Sequence, residues 1–149
     1  MKKIFIYYSL SGNGDEVANY LKTKNIDIRK VETKEKLSDN MILRILTGGF
    51  KAGIGYKDKL SDFNPNISKY DEIIIGSPIW NDRLSSPINT VLDKIDLVGK
   101  KTTFVLYSGS GKTKKAFRKI NNEYPHSKII QVKEPKKNKA TFKEYLKDL

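Results

Sequence analysis

Residues 3–8 form a near-continuous run of β-branched and aromatic side chains, which predicts a strand buried on both faces. A turn, Ser9-Leu10-Ser11-Gly12-Asn13-Gly14, follows at once. The helix predicted next begins near Asp15-Glu16, whose charges suit a helix N-terminus, and it places Val17, Tyr20 and Leu21 on one stripe. Residues 26–31 alternate imperfectly and predict a short second strand toward a sheet edge. Over residues 37–50, Leu37, Met41, Ile42, Ile45, Leu46 and Phe50 repeat at helical spacing and the pattern stops at Gly48-Gly49, and residues 51–66, with Gly53, Gly55 and Pro65, read as a long loop. A third strand is expected over 72–76, an irregular loop over 77–87, and a helix through Ile88, Val91, Leu92 and Ile95. A fourth strand (102–107), a glycine loop (108–111), a helix (114–122) and a fifth strand (129–132) follow. The last element is an amphipathic helix over 140–149 with Phe142, Tyr145, Leu146 and Leu149 inward.

Five apolar strands alternating with helices predict an α/β fold, a parallel sheet covered by helices on both faces. No repeat, linker or low-complexity tract divides residues 1–149, so a single domain is expected. Ligands of such sheets bind outside the carboxyl ends of the strands, where strand order reverses. Three loops leaving those ends, 9–14, 77–87 and 108–113, are rich in Gly, Ser or Asn, and the site is expected where they converge.

Composition narrows the chemistry. With Cys 0, thiolate metal sites, disulfides and cysteine nucleophiles are excluded, and the single His126 argues against a hydrolase triad. His126 reads as a surface residue. No apolar run approaches the ~20 residues that span a bilayer, and residues 4–8 are too short for the apolar core of a signal peptide, so a cytoplasmic protein is expected. The net charge of +12 is uneven: residues 100–149 hold 14 basic and 4 acidic side chains, or +10, which leaves +2 for residues 1–99. That asymmetry suits an acidic partner or a polyanion, or else a lysine-coated solvated surface.

Gly109-Ser110-Gly111-Lys112-Thr113 copies the end of a nucleotide-binding P-loop, but the glycine required five positions before Gly111 is Leu106, inside a strand. The dinucleotide pattern through Gly12 and Gly14 fails at Val17, where close packing requires a small residue. A phospho-receiver site is excluded because Tyr7, Tyr8 and Ser9 stand where acidic residues would bind magnesium. What residues 9–14 offer is two hydroxyls and a run of backbone N–H groups opening a helix, an anion cradle as well as an ordinary serine-glycine turn. Gly76-Ser77-Pro78-Ile79-Trp80-Asn81-Asp82 then places the chain's only tryptophan on a polar loop after a buried strand, where planar stacking is available. A flat aromatic ligand with a phosphate tail fits both loops.

At these residues the chain resembles the flavodoxin-like family, specifically its short FMN-binding members, over nearly its full length. Residues 9–14 resemble that family's phosphate loop, residues 68–80 its third strand and first flavin loop, and residues 86–92 the helix start after it. Gly48-Gly49-Phe50-Lys51-Ala52 and residues 108–111 also resemble family positions. The resemblance implies a doubly wound five-stranded parallel sheet of order 2-1-3-4-5 and FMN as cofactor. It implies that Ser9, Leu10, Ser11, Gly12, Asn13 and Gly14 form the phosphate site. It further implies that Ser77, Pro78, Ile79, Trp80 and Asn81 meet the isoalloxazine, with Trp80 stacked on it, and that Ser108, Gly109, Ser110 and Gly111 line its other edge. Gly14 departs from the family's usual threonine, and Asn81-Asp82 from the glycine of many relatives. The third loop has no aromatic, which leaves Tyr56 or Tyr107 to cover the second flavin face.

The function expected is electron transfer between a reductase and an acceptor, with redox partner proteins, acidic ones fitting the charge. Two alternatives stand beside it: a small FMN-dependent reductase of quinone-type acceptors, and a basic nucleic-acid-binding α/β domain. Against the last, the lysines are not interleaved with base-stacking aromatics.

Overall fold

The computed structural model of the chain describes residues 1–34, 56–111 and 113–149. Its main sheet is built from β1 (Lys3–Tyr7), β2 (Asp27–Lys30), β5 (Glu72–Trp80), β7 (Lys101–Ser108) and β8 (Lys128–Lys133), ordered β2-β1-β5-β7-β8 with every neighbouring pair parallel. Numbered among the main strands alone, that order is 2-1-3-4-5, as expected. The connecting helices are α1 (Asn13–Thr23), α2 (Ser86–Lys94), α3 (Lys114–Glu123) and α4 (Lys139–Tyr145).

The central strands β1, β5 and β7 are mostly apolar, and their side chains alternate between two cores. Ile4, Ile6, Ile73, Ile75, Phe104 and Leu106 face α2 and α3, meeting Ile88, Val91, Ala116 and Ile120. Phe5, Tyr7, Ile74, Val105 and Tyr107 face the other side and meet Val17 and Leu21 of α1 and Phe142 and Leu146 of α4. Tyr7 and Tyr8 therefore belong to opposite cores. Glu72, fully buried at the amino end of β5, is neutralised by Lys3 and Lys101, each 3.3 Å away.

Several expectations need correction. Residues 77–87 are not an irregular loop: β5 runs on to Trp80, and β6 (Arg83–Leu84) turns back antiparallel against it. Asn81 and Asp82 make that turn with φ of 48° and 63°, the left-handed pair that matches the twist of a tight hairpin. Part of the expected loop over 51–66 is also a strand, β4 (Leu60–Ser61), paired with β3 (Glu32–Thr33) outside the main sheet. In the closing helix Phe142 and Leu146 are buried but Tyr145 is 56% exposed, because α4 is only two turns long and presents a narrow stripe. The expected helix over 37–50, with the family-like Gly48-Gly49-Phe50-Lys51-Ala52, lies outside the described residues. Among the described residues no helix is long and apolar enough to cross a membrane.

Candidate functional site

The carboxyl ends of β1, β5 and β7 are neighbours in the sheet, so the loops after them come together. Tyr7 sits beside Gly76, and Pro78 beside Tyr107. Tyr107, buried in the core, donates its hydroxyl to the Tyr8 carbonyl and so ties the end of β7 to the start of the first loop.

In that first loop the chain must leave β1 and enter α1 within five residues, 8–12. Gly12 makes the turn with φ 90°, a conformation that side chains disfavour, and its carbonyl accepts the Glu16 N–H at 3.1 Å. No side chain caps the helix start, so the first-turn N–H groups stand as donors with no acceptor inside the helix. The Ser9 hydroxyl is buried and makes no hydrogen bond of proper geometry, although it stands near enough to Asp15 to help hold that carboxyl down. Asn13 Nδ2 donates to Ser11 Oγ at 3.2 Å. Leu10 packs its side chain on the core.

Gly14 has its own reason. A Cβ built there would stand 2.6 Å from Tyr107 Oη and 2.9 Å from both Ser9 Cβ and Tyr7 Cδ2. A threonine at this position would force Tyr107, Tyr7 or Ser9 to shift. Burial pushes the Tyr7 hydroxyl well above its ordinary range, and its hydrogen bond to Asp15 Oδ1 at 2.9 Å adds to the effect. Burial pushes Asp15 upward, but hydrogen bonds from Lys30 and Tyr7 and the Lys30 charge outweigh it and hold the carboxyl below its usual value.

The second loop is a rigid hairpin. At its base Ser77 and Ser85 are both fully buried: the Ser85 N–H donates to Ser77 Oγ at 3.1 Å, and the two hydroxyls lie 3.2 Å apart. Its tip is held by the Ala116 N–H of α3, which donates to the Asp82 carbonyl at 2.9 Å. Asp82 Oδ1 is buried there with no hydrogen-bond partner. Pro78, Ile79 and Trp80 are half-buried and Asn81 is exposed; the Trp80 ring meets Tyr8 edge-on, with centroids 5.7 Å apart.

In the third loop Ser108 is buried and its Oγ accepts the Gly111 N–H at 2.9 Å, folding the loop into a tight turn. Gln131 fastens it from β8, donating to the Gly111 carbonyl at 3.0 Å and accepting from Thr113 Oγ1 at 3.0 Å. Gly109, Ser110 and Gly111 are exposed. Tyr107 lies beneath the loops, packed on Gly14, and cannot serve as a cover over them; Tyr56 is 39% exposed. His126 is exposed and lines a concavity of about 590 Å³ at the opposite, amino end of β7 and β8, away from the three loops.

Sequence reasoning missed a fourth loop. Residues 134–138 also leave the carboxyl end of a parallel strand, and they fold back over the first loop, where the Lys136 N–H donates to Asn13 Oδ1 at 3.0 Å. The signal was available in the position of Glu134-Pro135 directly after the fifth strand, but a run of lysines there reads as solvated surface.

A family model described as "Flavodoxin" matches residues 2–149. Comparison with curated protein sequences finds no match. Among solved structures, the fold is similar to that of a flavoprotein in complex with FMN from Lactobacillus acidophilus NCFM. That pair has 22% identity and a TM-score of 0.65 over 93% of this chain and 97% of the other. It is also similar to oxidised flavodoxin 1 from Bacillus cereus, with 19% identity and a TM-score of 0.54 over 100% of this chain and 99% of that one.

Proposed function

Because the chain belongs to the flavodoxin family, we propose that it binds FMN noncovalently across these loops and carries electrons between a reductase and an acceptor. The observation that carries the reading is the Ser9 hydroxyl, buried without a proper partner beside the uncapped N-terminus of α1 in a loop turned by Gly12. A phosphate there would receive hydrogen bonds from Ser9, Ser11 and the N–H groups of residues 12–14. Pro78, Ile79, Trp80 and Asn81, on the hairpin, would hold the ring system, and Ser108 to Gly111 its other edge. The flavin supplies the redox chemistry. The protein supplies position: buried Ser77 and Ser85 fix the hairpin base and Gln131 fixes the third loop, so the polar edges of the site are set before the ligand arrives.

The second reading, a small FMN-dependent reductase of quinone-type acceptors, is favoured by one feature. The third loop presents Gly109, Ser110 and Gly111 to solvent, and the aromatic nearest in sequence, Tyr107, is buried beneath. One face of the ring system would thus stay open to a small acceptor. For the carrier reading, the charge of +12 suits acidic redox proteins. The test is direct: purified protein should be yellow, and its flavin absorbance should survive desalting. Fast reoxidation by an acidic acceptor protein with slow turnover on free quinone supports the carrier; the reverse supports the reductase. Colourless protein that takes up no added FMN removes both.

A further inference from the structure

The lysines of the fourth loop differ in what they meet. Lys137 pairs with Glu134 at 2.6 Å and Lys139 with Glu16 at 3.3 Å. Lys136, between them, meets no carboxylate among the described residues. Its side chain lies along the phosphate loop instead: Cδ and Nζ stand 3.5 Å from where a Cβ on Gly12 would be, and Nζ reaches the Ser11 carbonyl at only 3.4 Å. The lysine chain thus runs directly over Gly12, at a distance where even a Cβ would only touch it. We infer that Lys136 is a phosphate-binding residue of the site, an ammonium delivered from the far end of the chain that selects the phosphorylated flavin.

The loop that carries it is anchored at both ends. Glu134, at φ 39°, donates its N–H to the Ser108 carbonyl at 3.3 Å and accepts the N–H groups of Lys137 and Asn138 at 2.8 and 3.0 Å. The Lys136 N–H holds Asn13 Oδ1 at 3.0 Å, and Asn13 in turn holds Ser11. The ammonium is therefore placed by backbone contacts over a helix N-terminus that already favours an anion. A carbonyl at 3.4 Å is a weak partner for a full positive charge, and a phosphate dianion at the same place is a strong one. The inference rests on the reading of residues 9–14 as the FMN phosphate site, and it adds what hydroxyls and amides alone would not give, a strong dependence of affinity on salt.

The test titrates apoprotein with FMN and with riboflavin, following flavin fluorescence at low and at high salt, for wild type, Lys136→Met, Lys136→Arg and Lys137→Met. Thermal melts establish that the variants remain folded. Lys136→Met should lower FMN affinity about tenfold at low salt, leave riboflavin unchanged and flatten the salt dependence. Lys136→Arg should keep most of the preference for FMN, and Lys137→Met, whose charge is already paired, should behave as wild type. An FMN-to-riboflavin ratio unchanged in Lys136→Met, or an equal loss for both ligands, overturns the inference while leaving the FMN site standing. Wild type that binds neither ligand overturns the site and the inference together.

Discussion

Replacing Gly14 with alanine sets two effects of opposite sign against each other. Within a helix the exchange gains about 1 kcal/mol from propensity, since glycine loses more backbone freedom on folding. Here the added methyl would stand 2.6 Å from Tyr107 Oη and 2.9 Å from Ser9 Cβ and Tyr7 Cδ2. None of these neighbours gives easily: Tyr107 is buried with its hydroxyl bonded to the Tyr8 carbonyl, and Tyr7 is stacked on Phe5 with ring centroids 4.9 Å apart. Overpacking of this kind costs about 1–3 kcal/mol, so after the propensity gain a net loss of up to about 2 kcal/mol is expected. For a domain of this length that lowers the melting temperature by up to about 8 °C. Urea unfolding of Gly14→Ala, Tyr107→Phe and the double variant measures it. Removing the phenolic oxygen takes away the nearest clash, so alanine should cost less in the Tyr107→Phe background, with a coupling of about 1 kcal/mol. A stabilising Gly14→Ala, or an identical cost in both backgrounds, would show that Tyr107 does not dictate the glycine.

Three further outcomes are expected. Binding of FMN to apoprotein should quench the emission of Trp80, the chain's only tryptophan; unchanged emission at saturation removes it from the site. Asp82→Gly should stabilise the protein by about 1 kcal/mol in thermal unfolding, because it relieves a left-handed φ of 63° and a buried oxygen without a partner; a destabilised variant would mean the carboxylate has a role in the hairpin. Asp15 is held below the ordinary carboxyl value near 3.9, so its contribution to stability is complete above that pH and lost as pH falls through the folded-state value. Asp15→Asn should therefore lose less stability than wild type between about pH 5 and pH 3 in acid titrations followed by circular dichroism, and parallel curves would contradict this.

Much of the fold was legible because parallel strands buried on both faces leave a plain apolar signature, and residues 73–75 and 104–107 carry it without interruption. The hairpin at 81–82 was not, since Asn-Asp lacks the glycine that normally announces a two-residue turn; its positive φ values are imposed by the pairing of Trp80 with Arg83 and by the docking of Asp82 on Ala116. The identity of Gly14 was readable only as a departure from the family. The atom that crowds it most belongs to a tyrosine 93 positions later in the chain, with Tyr7 and Ser9 next, and no local pattern encodes that arrangement. The role of Lys136 was hidden in the same way, by distance along the chain and by a surrounding run of lysines whose other members are paired with carboxylates.

That distance also accounts for the uneven charge. The positive residues crowd the last third of the chain, while the proposed anion cradle is in the first fourteen residues, so by sequence alone they have nothing to do with each other. The winding of the sheet brings them together. Helices α1 and α4 lie on the same face, with Tyr20 edge-on to Phe142 at 5.8 Å and Lys139 paired with Glu16 at 3.3 Å. Once these two helices pack side by side, the turn that enters α4 must lie beside the turn that enters α1, and a contact between residues 123 apart becomes a short-range one. A positive charge in that turn acts at short range on whatever occupies the N-terminus of α1, and because Lys136 is exposed, salt weakens the attraction. Lys114 and Lys115 in the first turn of α3, by contrast, are exposed to solvent, whereas Lys119 is paired with Glu123 at 2.7 Å. On the proposed reading, the basic third of the chain would have two separate electrostatic tasks, one directed at the cofactor's phosphate and one at the surface of an acidic redox partner. Salt titration of FMN affinity reads the first, and salt dependence of the rate of electron transfer to an acidic acceptor protein reads the second.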